Sequence, residues 1–440
     1  MTLTKTPTGA GGTRLHQMDA LRLADMVQRG ETTAQAIVSD CLDRISEREG
    51  TVHAWSYVDR AGAMEAARAL DAGPRRGPLH GVPFGVKDVI DTVDMPTAYG
   101  SPIYDGYRPG IDATAVTALR RAGGIILGKT VTAEFAHRLP GPTSNPLDPR
   151  RTPGGSSSGS AAAVADQMVP LALGTQTTAS TIRPASYCGL IGYRPTFGVI
   201  SCAGVKANSP SFDTVGVIGR SLDDCALVRD ILMEVPPHAI RMPDTAPRIG
   251  FCRTPFWSAV SPDCAAILER AAGALSACGA KVREVTLDPI FSGVPKSHRV
   301  VSSYELARVM ATERARHGDL ISAVMREGKI AEGLALGMTD YVQAQEHLEV
   351  ARQASREIFG GLDIVAAPSA AGIAPVGLTT TGTAEFSTIW TALHLPSLTI
   401  PLPDRIEGMP LGIQLIGRRG SDRQLFDAAR WIERCFASGC

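Results

Sequence analysis

The chain has 440 residues, 44% hydrophobic and 20% charged, and its 44 Lys plus Arg are balanced by 44 Asp plus Glu. That composition supports a large buried core and excludes wholesale disorder. Zero net charge removes the electrostatic case for a nucleic acid or an anionic membrane and favours a small neutral substrate.

Nine cysteines are scattered along the chain. None forms a Cys-x-x-Cys pair or a His/Cys cluster at zinc spacing, so they read as reduced thiols in a cytoplasmic protein, with no metal and no cofactor implied. Residues 1–14 are polar and Gly/Thr-rich and read as a flexible tail. No run of about 18 apolar residues marks a membrane span.

The first elements are helical. Leu21, Ala24 and Val27 recur at three-residue spacing before Gly30, which is placed to stop a helix. Thr32 and Gln35 have the spacing of a capping box ahead of the stripe Ile37, Val38, Cys41, Leu42 and Ile45. A third amphipathic segment runs from about Gly62 to Leu70. None of the three carries chemistry.

Residues 79–92, LHGVPFGVKDVIDT, form an apolar run around Lys87 and predict a buried strand with a cation inside it. Only seven of the 44 basic residues are lysines, so a lysine here calls for a reason. It could snorkel to the edge or pair with Asp88, since charges are seldom buried without a partner. It could equally serve as a base, because burial lowers a lysine pKa from about 10.4.

Residues 112–122 predict a helix with Asp112 near its start, and GGIILGKT a strand returning to the sheet. Gly123 to Thr130 also fits the phosphate-loop pattern, but that loop must follow a strand and open a helix, the reverse of the order here. The Pro- and Gly-rich residues 137–152 predict a loop. Gly155 to Gly159 fits Gly-x-Ser-x-Gly, but DPRRTP cannot be the strand that such an elbow requires.

The stretch Pro153–Gly189 presents two serine-bearing turns separated by a small-residue helix and a strand over Val169–Leu173. Ser156 and Ser180 are thereby a candidate proton relay and nucleophile, with Lys87 as the base of a Ser-Lys arrangement. Further on, 303–357 reads as largely helical, and DIVAAPS, LPSLTIPLP and GMPLGIQLIG read as strands.

Together GVPFGVKD (81–88), GGSSSG (154–159), the turn bearing Ser180 twenty-four residues after Ser156, and GMPLGIQLIG (408–417) resemble the signature of the amidase signature hydrolases. The resemblance covers about 60–235 and 363–435. It implies a single α/β domain over 15–437, with a large mixed β-sheet covered by helices on both faces and a variable, mostly helical pocket region at 235–360. It further implies an amidohydrolase that attacks a carbon–nitrogen amide bond with Ser180, through Ser156 held by a cis peptide, to Lys87, and passes through an acyl-enzyme. The same resemblance makes Lys129 structural.

The implied oxyanion hole is the backbone N–H set of Thr177, Thr178, Ala179 and Ser180. Here the chain departs from the family, which usually has Gly-Gly where Thr178 and Ala179 stand. A turn needing positive φ would strain β-branched Thr178. Gln176 replaces a common Asp, and Arg183 lies three residues after the serine rather than two. His137, Leu139 and Trp390 are candidate pocket residues, each with packing as the rival role. The expected company is a small-molecule amide, without nucleic acid or membrane, and a homodimer is compatible with the sequence. Two other readings share the fold: the glutaminase subunit of a tRNA-dependent amidotransferase, and a non-catalytic protein that lost the hole at Thr178-Ala179.

Overall fold

The structure, a computed structural model, describes residues 14–438. The expected tail, apart from Arg14, lies outside the described residues, as does Cys440. Eleven strands form one mixed sheet: β1 (Trp55–Val58), β2 (Pro83–Lys87), β3 (Ile125–Thr130), β4 (Leu171–Gln176), β5 (Ile191–Arg194), β6 (Thr214–Gly219), β7 (Arg248–Phe251), β8 (Lys281–Glu284), β9 (Ile364–Pro368), β10 (Ser397–Ile406) and β11 (Met409–Ile416). Their spatial order is β1-β3-β2-β4-β6-β5-β10-β11-β9-β7-β8. β2 runs parallel to β3 and β4, and β7 parallel to β8 and β9, while the strands between them pair antiparallel.

Every residue of β2, β3, β4, β6, β9 and β11 is buried. Side chains alternate faces along a strand, so unbroken burial means that both faces of the sheet are covered. This is why these strands read as continuous apolar runs. The edge strand β8, KVRE, is instead largely exposed, and its charges discourage pairing with another chain.

The helix Ala20–Gln28 ends at Gly30, whose φ is +69°. The next helix, Ala34–Val52, starts one residue later than its sequence suggests. Thr33, not Thr32, caps it by accepting the Ala36 N–H at 3.1 Å, and the Gln35 amide donates to Asp71 instead of closing a capping box. The strand around Lys87 stops at Lys87, with Val89 and Ile90 in the following turn. β3 follows the helix Thr114–Arg121, the order that excludes a phosphate loop.

The small-residue helix Ser158–Ala165 packs against β2, β3 and β4. Gly159 permits that approach, since a Cβ there would meet Ala54 O at 2.2 Å and Val131 N at 2.3 Å. The second serine turn leads into a helix, Ile182–Tyr187, where the sequence suggests only a turn. Residues 235–360 supply β7 and β8 as well as the helices Pro262–Ala277, Val294–Val309 and Met338–Ile358.

One expectation is overturned. Cys278 and Cys435 form a disulfide across 157 residues, with Cα atoms 6.1 Å apart, so not every cysteine is a reduced thiol. The helices Pro262–Ala277 and Asp422–Ser438 pack together and bring the pair into register, which no local spacing can announce. Cys41, Cys188, Cys202, Cys225, Cys252 and Cys264 are free. Among the described residues no helix is long and apolar enough to cross a membrane.

Candidate active site

Lys87 is the last residue of β2, which lies between β3 and β4, and is fully buried. Its Nζ donates to Ser156 Oγ and to Thr175 Oγ1, each at 2.7 Å. No carboxylate lies within ion-pairing distance of it among the described residues. Asp88 does not fill that role, because it sits 3.8 Å from Lys129 Nζ on the neighbouring strand and accepts the Ala98 N–H. Burial holds the Lys87 pKa well below the usual lysine range, reinforced by the Arg183 charge and opposed by Asp213. An amine with a depressed pKa and only hydroxyl partners can take a proton from one of them.

Ser156 is fully buried, and the Gly155–Ser156 peptide is cis. The carbonyl of that peptide accepts from Arg183 Nη2, and the same guanidinium donates to Thr381 Oγ1 at 3.1 Å and to Gly382 O at 2.8 Å. Burial lowers the Arg183 pKa to about 10, which leaves it charged at neutral pH. The shifted position of this arginine therefore has a use: it ties the relay turn to the loop before the helix Glu385–Ala392.

The turn bearing Ser180 lies against the first one, with the Ser157 N–H donating to Ser180 O at 3.4 Å. Each carbonyl in the turn has a donor. Thr177 O meets His298 Nε2 at 3.0 Å, Thr178 O accepts Thr391 Oγ1 at 2.7 Å, and Ala179 O accepts the Arg183 N–H at 3.0 Å. The N–H groups of Thr178, Ala179 and Ser180 have no acceptor among the described residues. A turn whose carbonyls are tied back and whose amides are unengaged is suited to stabilise an oxyanion.

Neither Thr178 nor Ala179 has a positive φ, so the expected strain at Thr178 does not arise. Gln176, fully buried, accepts the Thr181 and Ile182 N–H groups at 3.0 and 3.1 Å and donates to Thr391 Oγ1 at 3.0 Å. An amide both accepts and donates here, whereas a carboxylate could only accept. Ser180 itself is buried, with 8% of its surface exposed.

Several partners carry no mark in the sequence. Thr175 holds Lys87, and Asp213 accepts from Thr177 Oγ1 and from the Asn208 and Ser209 N–H groups. Burial raises the Asp213 pKa to about 6. Hydroxyls and a lone Asp give no spacing signal, and His298 and Thr391 come from elements far along the chain.

The weaker pocket candidates are scattered. His137 follows the short helical turn Glu134–Ala136, with its pKa held well below the ordinary imidazole range by burial and by Lys329 and Arg138. Leu139 is exposed. Trp390 is fully buried in a core cluster with Phe212, Leu395 and Ile416.

The family model for amidases matches residues 36–426. The glutamyl-tRNA(Gln) amidotransferase A subunit of Roseiflexus castenholzii is 34% identical over 466 aligned residues, covering 94% of each chain. Its counterpart from Salinispora arenicola is 32% identical, covering 96% of this chain and 98% of that one. A solved amidase structure superposes with a TM-score of 0.87 at 30% identity, covering 95% of this chain and all of the other. The peptide amidase of Stenotrophomonas maltophilia gives 0.82 at 28% identity, covering 96% and 97%.

Proposed function

The chain belongs to the amidase family and is an enzyme acting on amide carbon–nitrogen bonds, and from that premise we propose that Ser180, Ser156 and Lys87 are its catalytic residues. The observation that carries this is the contact of a fully buried, carboxylate-free Lys87 with Ser156 at 2.7 Å.

Ser180 Oγ attacks the carbonyl carbon of a small neutral amide. Its proton passes to Ser156, whose own proton passes to neutral Lys87. Charge developing on the carbonyl oxygen is met by N–H groups of the 177–180 turn, where losing one donor costs about 3 to 4 kcal/mol. Collapse expels the amine, which takes a proton back along the relay and leaves an acyl-enzyme. Water then attacks the ester, gives its proton to the relay and restores Ser180. Residues 235–360 shape the substrate end, with His298 set behind the turn.

Intact-protein mass spectrometry after treatment with a fluorophosphonate tests the nucleophile. The expected result is one adduct on the wild type and none on Ser180→Ala; an adduct that persists on the variant overturns the assignment.

A second reading rests on the identity to the amidotransferase A subunits: the same site releasing ammonia from glutamine within a larger assembly. Copurification with other amidotransferase components and glutamine-dependent ammonia release would favour it over the free amidase.

A further inference from the structure

A cavity of about 370 Å³ opens where the C-terminal half of the helix Met338–Ile358 meets the turn at Leu393–Leu395 and the turn at Arg418–Arg419 after β11. Its wall carries four arginines, Arg352, Arg356, Arg418 and Arg419, against one carboxylate, Glu349. Its floor is apolar, with Phe359 and Leu395 each 1% exposed. In a chain whose charges balance overall, this is a local excess of three positive charges.

Two of the arginines are committed to the fold and two are not. Arg418 donates to the carbonyls of Phe359 and Leu362 and lies over the Phe359 ring at 5.5 Å. Arg352 donates from Nε to Ala392 O at 3.0 Å, with Glu349 3.6 Å from Nη1. Its Nη2, however, is buried with no hydrogen-bond partner among the described residues. Arg356 and Arg419 have no side-chain hydrogen bond or ion pair among the described residues and are exposed. Buried donors are ordinarily satisfied, so Arg352 Nη2 is an exception within the cavity wall. Bringing like charges together also costs free energy unless an anion offsets it.

We propose that this cavity is a binding site for a small multivalent oxyanion, a compound bearing phosphates or several carboxylates. Guanidinium forks match the oxygens of both groups in bidentate geometry, which an ammonium cannot do. The ligand would span Arg356 and Arg419, leaving the structural contacts of Arg352 and Arg418 intact. The site is separate from the serine turns, yet the Ala392 carbonyl held by Arg352 adjoins Thr391, whose hydroxyl holds Thr178 O.

Isothermal titration calorimetry of the full chain with inorganic pyrophosphate and, separately, with citrate tests the proposal. The comparison is between the wild type and the double variant Arg356→Gln/Arg419→Gln, with Arg299→Gln as a remote control. The expected result is saturable binding of one probe molecule per chain, weakened at least about tenfold in the double variant, unchanged in the control, and falling with added salt. Tighter pyrophosphate binding assigns a phosphate-bearing ligand, and tighter citrate binding a polycarboxylate. No saturable heat from either probe at millimolar concentration overturns the site. So does equal affinity in a double variant whose melting temperature matches the wild type.

Discussion

Lys87 and Lys129 sit on neighbouring parallel strands, are both fully buried, and differ in almost everything that decides their charge. Lys129 Nζ donates to the Ile90 carbonyl and to Thr97 Oγ1, with Asp88 at 3.8 Å and three further aspartates within electrostatic reach. Burial lowers its pKa only to about 8, so it stays charged near neutral pH. Lys87 has two hydroxyls, a nearby arginine and no paired carboxylate among the described residues, and burial holds its pKa well below the ordinary range. The same side chain at the same depth stays charged in one place and has its proton affinity pushed well below the ordinary range in the other. The neighbours decide which.

The sharpest way to break this contrast is to remove each amine. Lys87→Met, which keeps most of the volume, should lower kcat/KM by about a thousandfold or more, as should Ser180→Ala, with the fold retained by circular dichroism. Lys129→Met should do the opposite. It strands Asp88 without its cation and should destabilise the protein by about 3 kcal/mol in chemical denaturation. A second change, Asp88→Asn, should return part of that loss. Thermal or catalytic results in the reverse pattern would remove the distinction between the two lysines.

A finer test uses pH. Unfolding returns each lysine to its ordinary proton affinity, so the unfolded chain binds more protons and stability rises with pH. For Lys129 the rise is confined between about 8 and 10.5. For Lys87, whose folded pKa is also held well below the ordinary range, the rise likewise ends near 10.5. The stability of Lys87→Met relative to the wild type should therefore fall as pH rises from about 7 to 10. A difference that stays constant over that range would mean Lys87 is charged when folded.

Smaller effects lie around the relay. Thr175→Val removes one of the two hydroxyls on Lys87 and should cost about five- to tenfold in kcat/KM, the size of one hydrogen bond of roughly 1 kcal/mol. Cys188→Ala should leave kcat/KM within about twofold. Its buried thiol, with its pKa pushed up by burial, sits in the core and has the Pro153 carbonyl as its hydrogen-bond partner.

The sequence made Lys87 visible because lysine is scarce in this chain and because an apolar strand is a costly place for one. It made Ser156 and Ser180 visible as paired turns. β2, β3, β4, β9 and β11 were legible because burial on both faces leaves an unbroken apolar run, whereas central β5, equally buried, has only four residues and gave no such run. β1, β7 and β8 were not, since each has only four residues and β8 lies at an exposed edge. Helix Ile182–Tyr187 was hidden by its six-residue length and by Pro184. Partners such as Asp213, His298 and Thr391 were illegible for a different reason. Each reaches the site through tertiary packing, and a hydroxyl or a single imidazole carries no periodicity to betray that.

The anchoring of Thr178 by Thr391 also bears on biosynthesis. Lys87, Ser156 and Ser180 all leave the ribosome in the first half of the chain, and β5 then waits for β10 to become its neighbour. The hydroxyl that holds the nucleophile turn arrives only at residue 391, shortly before that strand. A nascent chain thus carries these three residues long before it carries the parts that hold them in place, and the completed turn belongs to the nearly finished polypeptide.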